Sequence, residues 1–128
     1  MEKYTTESFE VTLHDNGIVE TRIRSGGSMP DTVEINTEHA LLLKKVVNGK
    51  RRGVLAVIPN LHVKRELIEI YNQANVGEAG VALLVSSFGA KVLGNLVLKA
   101  RKTLKPTRLF TDRKEAEAWL LQIMAEAE

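Results

Sequence analysis

The chain has 128 residues, 44% of them apolar and 27% charged, which suits one continuous core at the usual size of one folded unit. It has no cysteine, which excludes disulfides, thiolate catalysis and cysteine-held zinc, and its three histidines (His14, His39, His62) stand too far apart, without acidic companions at ligand spacing, to suggest a structural metal. The net charge is only +2 but unevenly placed: seven basic residues and no acid run from Lys44 to Arg65, and six more without an acid from Lys91 to Arg108.

No apolar run approaches the roughly 18 to 20 residues of a membrane span. The opening MEKYTTESFE has no apolar stretch behind its charges, unlike a secretory signal. The expectation is a single cytoplasmic domain over residues 1–128, with no transmembrane segment.

In chain order, residues 8–24 alternate with period two, and Asn16-Gly17 supplies positive φ angles for a tight turn, so a β-hairpin is predicted. SGGSMPD (25–31) has loop composition, and Val33 and Ile35 read as a brief extended piece. A helix follows, with Asn36 or Thr37 as N-cap and Gly49 at the left-handed end. GVLAVI (53–58) is a continuously apolar, β-branched run, suited to a strand covered on both faces. Residues 63–74 return to helical spacing, with Val63, Leu67, Ile70, Tyr71 and Ala74 as the inner stripe. VALLVS (81–86) is the next buried strand, and residues 87–102 form another helix in which Gly94 allows close packing. TRLF after Pro106 is a short strand. Asp112 with Glu115 resembles a capping box for a last helix, buried through Ala116, Trp119, Leu120, Ile123 and Ala127. Strands alternating with helices require crossovers, and crossovers make parallel pairs. The fold class is therefore α/β: one mixed sheet, antiparallel at the hairpin and parallel elsewhere, packed by about four helices.

Residues 79–120 carry a strand ending in Ser86-Ser87, Gly94-Asn95 in a helix, Pro106 before a short strand, Phe110-Thr111-Asp112, and Ala116 with Trp119-Leu120. This order resembles uncharacterised bacterial STAS-like proteins related to the SpoIIAA-like family. The resemblance implies the STAS fold, shared with anti-sigma-factor antagonists and similar in outline to lipid-binding CRAL-TRIO domains. Those antagonists carry a phosphorylated Ser in the turn after the strand matching GVLAVI. Here the turn reads Pro59-Asn60-Leu61-His62-Val63 and has no hydroxyl to hold a phosphate, so that switch is absent from this loop.

Ligands of parallel sheets gather at the carboxyl ends of the strands. That rim would bring together Asn60, His62, Ser86, Ser87, Lys91 and Thr111, able to take an anion or a lipid headgroup, beside Asp112. The ordinary alternative is that Ser87 caps its helix and Lys91 is solvated. A Ser-His-Asp triad is disfavoured, because no G-x-S-x-G elbow is present and nothing orients His62. The opposite border would collect Lys50, Arg51, Arg52, Arg101, Lys102, Lys105 and Arg108 as a docking edge, although cations there also complement helix C-termini. Phe88 and Leu98 fall outside their helix's inner stripe and suit a subunit contact or a small apolar pocket.

The function expected is a non-catalytic, STAS-like regulatory or interaction module that binds a protein partner. The alternative is a small apolar ligand or lipid carrier of CRAL-TRIO-like outline. No cofactor or metal is expected; the few aromatic residues give no interleaving for single-stranded nucleic acid, and no sequence-specific nucleic-acid binding is expected. A homodimer and an acidic or lipid surface are the other partners open to such a chain.

Overall fold

The computed structural model describes residues 1–24, 32–58, 65–74, 76–85 and 106–127. Its elements are β1 (Glu2–Thr5), β2 (Phe9–Leu13), β3 (Val19–Ile23), α1 (Val33–Val47), β4 (Gly53–Ile58), α2 (Arg65–Ala74), β5 (Gly80–Val85), β6 (Thr107–Phe110) and α3 (Arg113–Ala127). The six strands form one mixed sheet in the order β1-β2-β3-β4-β5-β6. Pairing is antiparallel from β1 to β3 and parallel from β3 to β6.

The expected pairing of the two continuously apolar strands is present, from Val54 opposite Val81 to Ile58 opposite Val85. Right-handed crossovers that step one strand at a time in one direction lay their helices on one face. Accordingly α1 and α2 cover one side, where Val11, Val19, Val47, Val54, Leu83 and Leu109 form the larger core. α3 returns across the other side, packing Ala116 and Leu120 on Ile18, Leu55, Ala82 and Phe110. Leu120 is fully buried, and its truncation to Ala would cost about 2–5 kcal/mol.

Three helices, rather than about four, are found among the described residues. The helix expected over residues 87–102, the loop over 25–31 and the turn over 59–63 lie outside them.

Local differences have identifiable causes. The β2–β3 turn is not a two-residue Asn-Gly turn: Gly17 N–H donates to the His14 carbonyl and His14 N–H to that of Ile18, each at 2.9 Å. Only Gly17 is left-handed, at φ 91°, which makes a three-residue loop with a bulge. Val33 and Ile35 belong to α1 instead of an extended piece, because the Thr32 side chain accepts the Ile35 amide and starts the helix earlier than Asn36 or Thr37 would. At the end of α1 Gly49 is left-handed as expected, at φ 69°, and Asn48 before it is left-handed too. β1, polar and charged, has no counterpart in the sequence reading; it is held by pairing with β2 rather than by its own apolar pattern.

At α3 the Asp112 carboxylate accepts the Lys114 amide at 2.9 Å, the N-cap bond expected there. Of the predicted inner stripe, Ala116 and Leu120 are buried while Trp119 and Ile123 are half-buried.

Candidate functional site

The rim at the carboxyl ends of the parallel strands is represented by Thr111, which is exposed between β6 and α3. Asn60, His62, Ser86, Ser87 and Lys91 lie outside the described residues, as do Phe88 and Leu98.

On the opposite border, Lys50 and Arg51 are exposed and Arg52 is half-buried immediately before β4. Arg108 is exposed at the start of β6, its guanidinium carbon 5.4 Å from the centre of the Phe110 ring. Parallel register from β4 through β5 to β6 sets both groups at the amino ends of their strands. Arg101, Lys102 and Lys105 lie outside the described residues. Arg51 is left-handed, at φ 53°, a conformation that costs an arginine about 1–2 kcal/mol.

Two polar clusters that the sequence reading passed over are built into the two faces of the sheet. On the α3 side, Glu20 of β3 keeps a side chain only 5% exposed. Both of its oxygens are held by the Arg113 fork, Oε2 also by Arg22, and Oε1 by His14 Nε2, which donates at 2.8 Å. Burial alone would raise the carboxyl pKa; the bonds from Arg113, Arg22 and His14 outweigh it and hold the group at about 2. A carboxylate so fixed in its charged form is unsuited to taking or giving protons near neutrality. Arg113 also reaches Glu117, at 3.2 Å, so its donors are engaged by carboxylates.

On the α1 side, His39 is buried, with its ring stacked on Phe9 at 3.7 Å between centroids. Tyr71 of α2 donates its hydroxyl proton to Asn36 Oδ1 at 2.7 Å, so the Tyr71 oxygen accepts from His39 Nδ1, also at 2.7 Å. In the neutral ring His39 Nε2 then accepts from the Thr21 hydroxyl at 2.5 Å. Asn36 in turn donates to the Thr32 carbonyl at 2.9 Å. Burial favours the neutral imidazole, pulling His39 down to about 3, and pushes Tyr71 up; with the ring neutral, every proton of this hydrogen-bonded series has one place.

Both clusters left a trace in the sequence. Glu20 and Arg22 are opposite charges two apart on one strand face, and Asn36 and His39 fall in the stripe completed by Ala40, Leu43, Val46 and Val47. Among the described residues no group of three or more His, Asp or Glu is arranged to hold a metal ion, and no helix is long and apolar enough to cross a membrane.

These features define an α/β protein with a mixed six-stranded sheet whose buried ionisable groups tie its layers together. The chain belongs to the family of the domain of unknown function DUF7793, whose model matches residues 44–124. Comparisons with curated proteins and with solved structures give no match.

Proposed function

We propose that the protein is a non-catalytic interaction module of the cytoplasm, docking an acidic protein surface on the amino-end border of its parallel strands. The observation that supports this reading is the exposure of Lys50, Arg51 and Arg108 along one border of the sheet. The STAS-like relationship belongs to the same proposal. It rests on the motif order from Ser86 to Leu120 and on the sequential parallel strands with α1 and α2 on one face.

The lipid-carrier reading has less support. Between the sheet and the described helices, Val47 is fully buried in the core on the α1 side, and Leu55 and Leu120 are fully buried in the cluster beneath α3.

The test compares proteins retained from native cells by the wild type and by the triple variant Lys50→Glu, Arg51→Glu, Arg108→Glu. A partner held at low salt, released near ~0.5 M salt and lost from the variant supports the border. Identical retention by both proteins overturns it. A co-purifying lipid mass in native mass spectrometry favours the carrier instead.

A further inference from the structure

We propose that the chain pairs with a second copy of itself through β1, antiparallel and two-fold symmetric, with Tyr4 facing the partner's Tyr4 on the axis.

The direction of the free main-chain groups follows from the bonds inside the sheet. Thr6 N–H donates to the Phe9 carbonyl at 2.8 Å, which makes Thr6 and Phe9 a hydrogen-bonded pair. Such pairs alternate along an antiparallel ladder, so Tyr4 with Val11 and Glu2 with Leu13 also bond inward. The N–H and C=O groups of Lys3 and Thr5 therefore point away from β2. Among the described residues no strand pairs with that side, and both residues are exposed.

The register is then restricted. Residues opposite one another in an antiparallel pair share a face, so a continuous sheet sets odd positions against odd. One register sets Lys3 against the partner's Thr5 and Thr5 against the partner's Lys3, and it uses all four outward groups. Sliding by two residues sets Lys3 against the partner's Lys3, with like charges opposed, or Thr5 against the partner's Thr5, with Lys3 left beyond the strand. The favoured register also brings the two tyrosines together as a non-hydrogen-bonded pair, where cross-strand side chains are closest. Tyr4 is half-buried against the larger core with its hydroxyl on the Glu2 carboxylate at 2.6 Å, and Lys3 is paired with Glu10 at 3.9 Å.

A second copy is the occupant that this geometry fits, because the same two residues satisfy each other in both directions and the contact closes on itself. It lies on β1, apart from the border at β4 and β6, so the charge-reversed triple variant keeps the dimer and the two proposals fail separately.

The chain has no cysteine, so a single introduced thiol reports the register. Tyr4→Cys is expected to form a disulfide-linked dimer on mild oxidation, since opposite Cβ atoms of a non-hydrogen-bonded pair approach to about 4.5 Å, within reach of a disulfide. Lys3→Cys, whose counterpart is diagonal, is expected to remain largely uncrosslinked. Thr5→Pro removes an outward donor that β2 does not use; it should turn the dimer into a monomer with an unchanged circular-dichroism spectrum. A small interface implies modest affinity, so sedimentation equilibrium should extend to roughly 500 µM. A wild-type monomer throughout that range overturns the proposal, as does equal crosslinking of the two cysteine variants or a folded Thr5→Pro protein that stays dimeric. If Thr5→Pro does not fold, the cysteine pair decides.

Discussion

Glu20 on β3 and Arg113 at the start of α3 stand 93 positions apart in the chain, and the guanidinium of one spans both oxygens of the other. The bond fastens the antiparallel part of the sheet to the helix that covers its parallel part. Arg22 and His14 complete the grip. Glu20→Gln is expected to cost about 1–3 kcal/mol, less than for a fully buried pair, because Arg113 and Arg22 are 40% and 47% exposed and can rehydrate. Urea unfolding measures this. A cycle adding Arg113→Met should show coupling; additive single effects would contradict a shared bond.

His39 gives stability a pH dependence of defined sign. The unfolded imidazole takes a proton near 6.5, while the folded one resists until about 3. Between these values the unfolded chain binds the extra proton, so stability falls as pH is lowered through 6.5, by about 1.4 kcal/mol per unit. Glu20 acts lower: its folded pKa of about 2 lies below the unfolded 4.5, so its contribution is lost as pH falls through that second window. His39→Gln removes the titration at residue 39, and the difference between the two urea-midpoint curves from pH 7.5 to 5 should carry the slope. Parallel curves would show that His39 takes up its proton in the folded protein as readily as in the unfolded chain.

Tyr71 supplies the middle link of the chain from Thr21 to Thr32. Tyr71→Phe keeps the ring but leaves His39 Nδ1 and Asn36 Oδ1 without that hydroxyl, an expected loss of about 1–3 kcal/mol. Val47→Ala, in the same core, removes only packing and is expected to leave the His39-dependent slope unchanged.

Gly53 opens β4 beneath α3. A Cβ there would lie 3.0 Å from Leu120 Cδ2 and 3.2 Å from the Met124 sulfur, so Gly53→Ala should cost about 1–3 kcal/mol through displacement of the helix. Gly49→Ala is the comparison: nothing lies within 4 Å of the added carbon, and only the φ of 69° is penalised, by about 1 kcal/mol. Thermal unfolding should separate the two, with altered Trp119 fluorescence in the first alone.

Arg51 holds a left-handed backbone with an exposed side chain. Arg51→Gly is expected to be neutral or stabilising by up to about 1 kcal/mol. If its charge serves docking, the same change weakens retention of an acidic partner. Loss of stability without loss of binding would assign the arginine to the turn.

The strands at Gly53–Ile58 and Gly80–Val85 were legible because runs covered on both faces have no need to alternate, and α3 because its cap and stripe agree. β1 was not, since an edge strand of Glu, Lys, Tyr and Thr draws its order from a neighbour. The clusters around Glu20 and His39 join residues far apart in the chain, and local periodicity marks the face a residue occupies without naming what meets it there. Of the two borders inferred from strand direction, the basic one is represented by Lys50, Arg51, Arg52 and Arg108, and the other by Thr111.

The family match starts at Lys44, inside α1, whereas β4 takes its parallel neighbour from β3 upstream. A fragment cut at the match boundary would begin on the last four residues of α1 and bare the long apolar flank of β4 to intermolecular pairing. Expression of the matched segment by itself should therefore yield aggregates, and the meander that precedes it serves as a built-in guard for that flank.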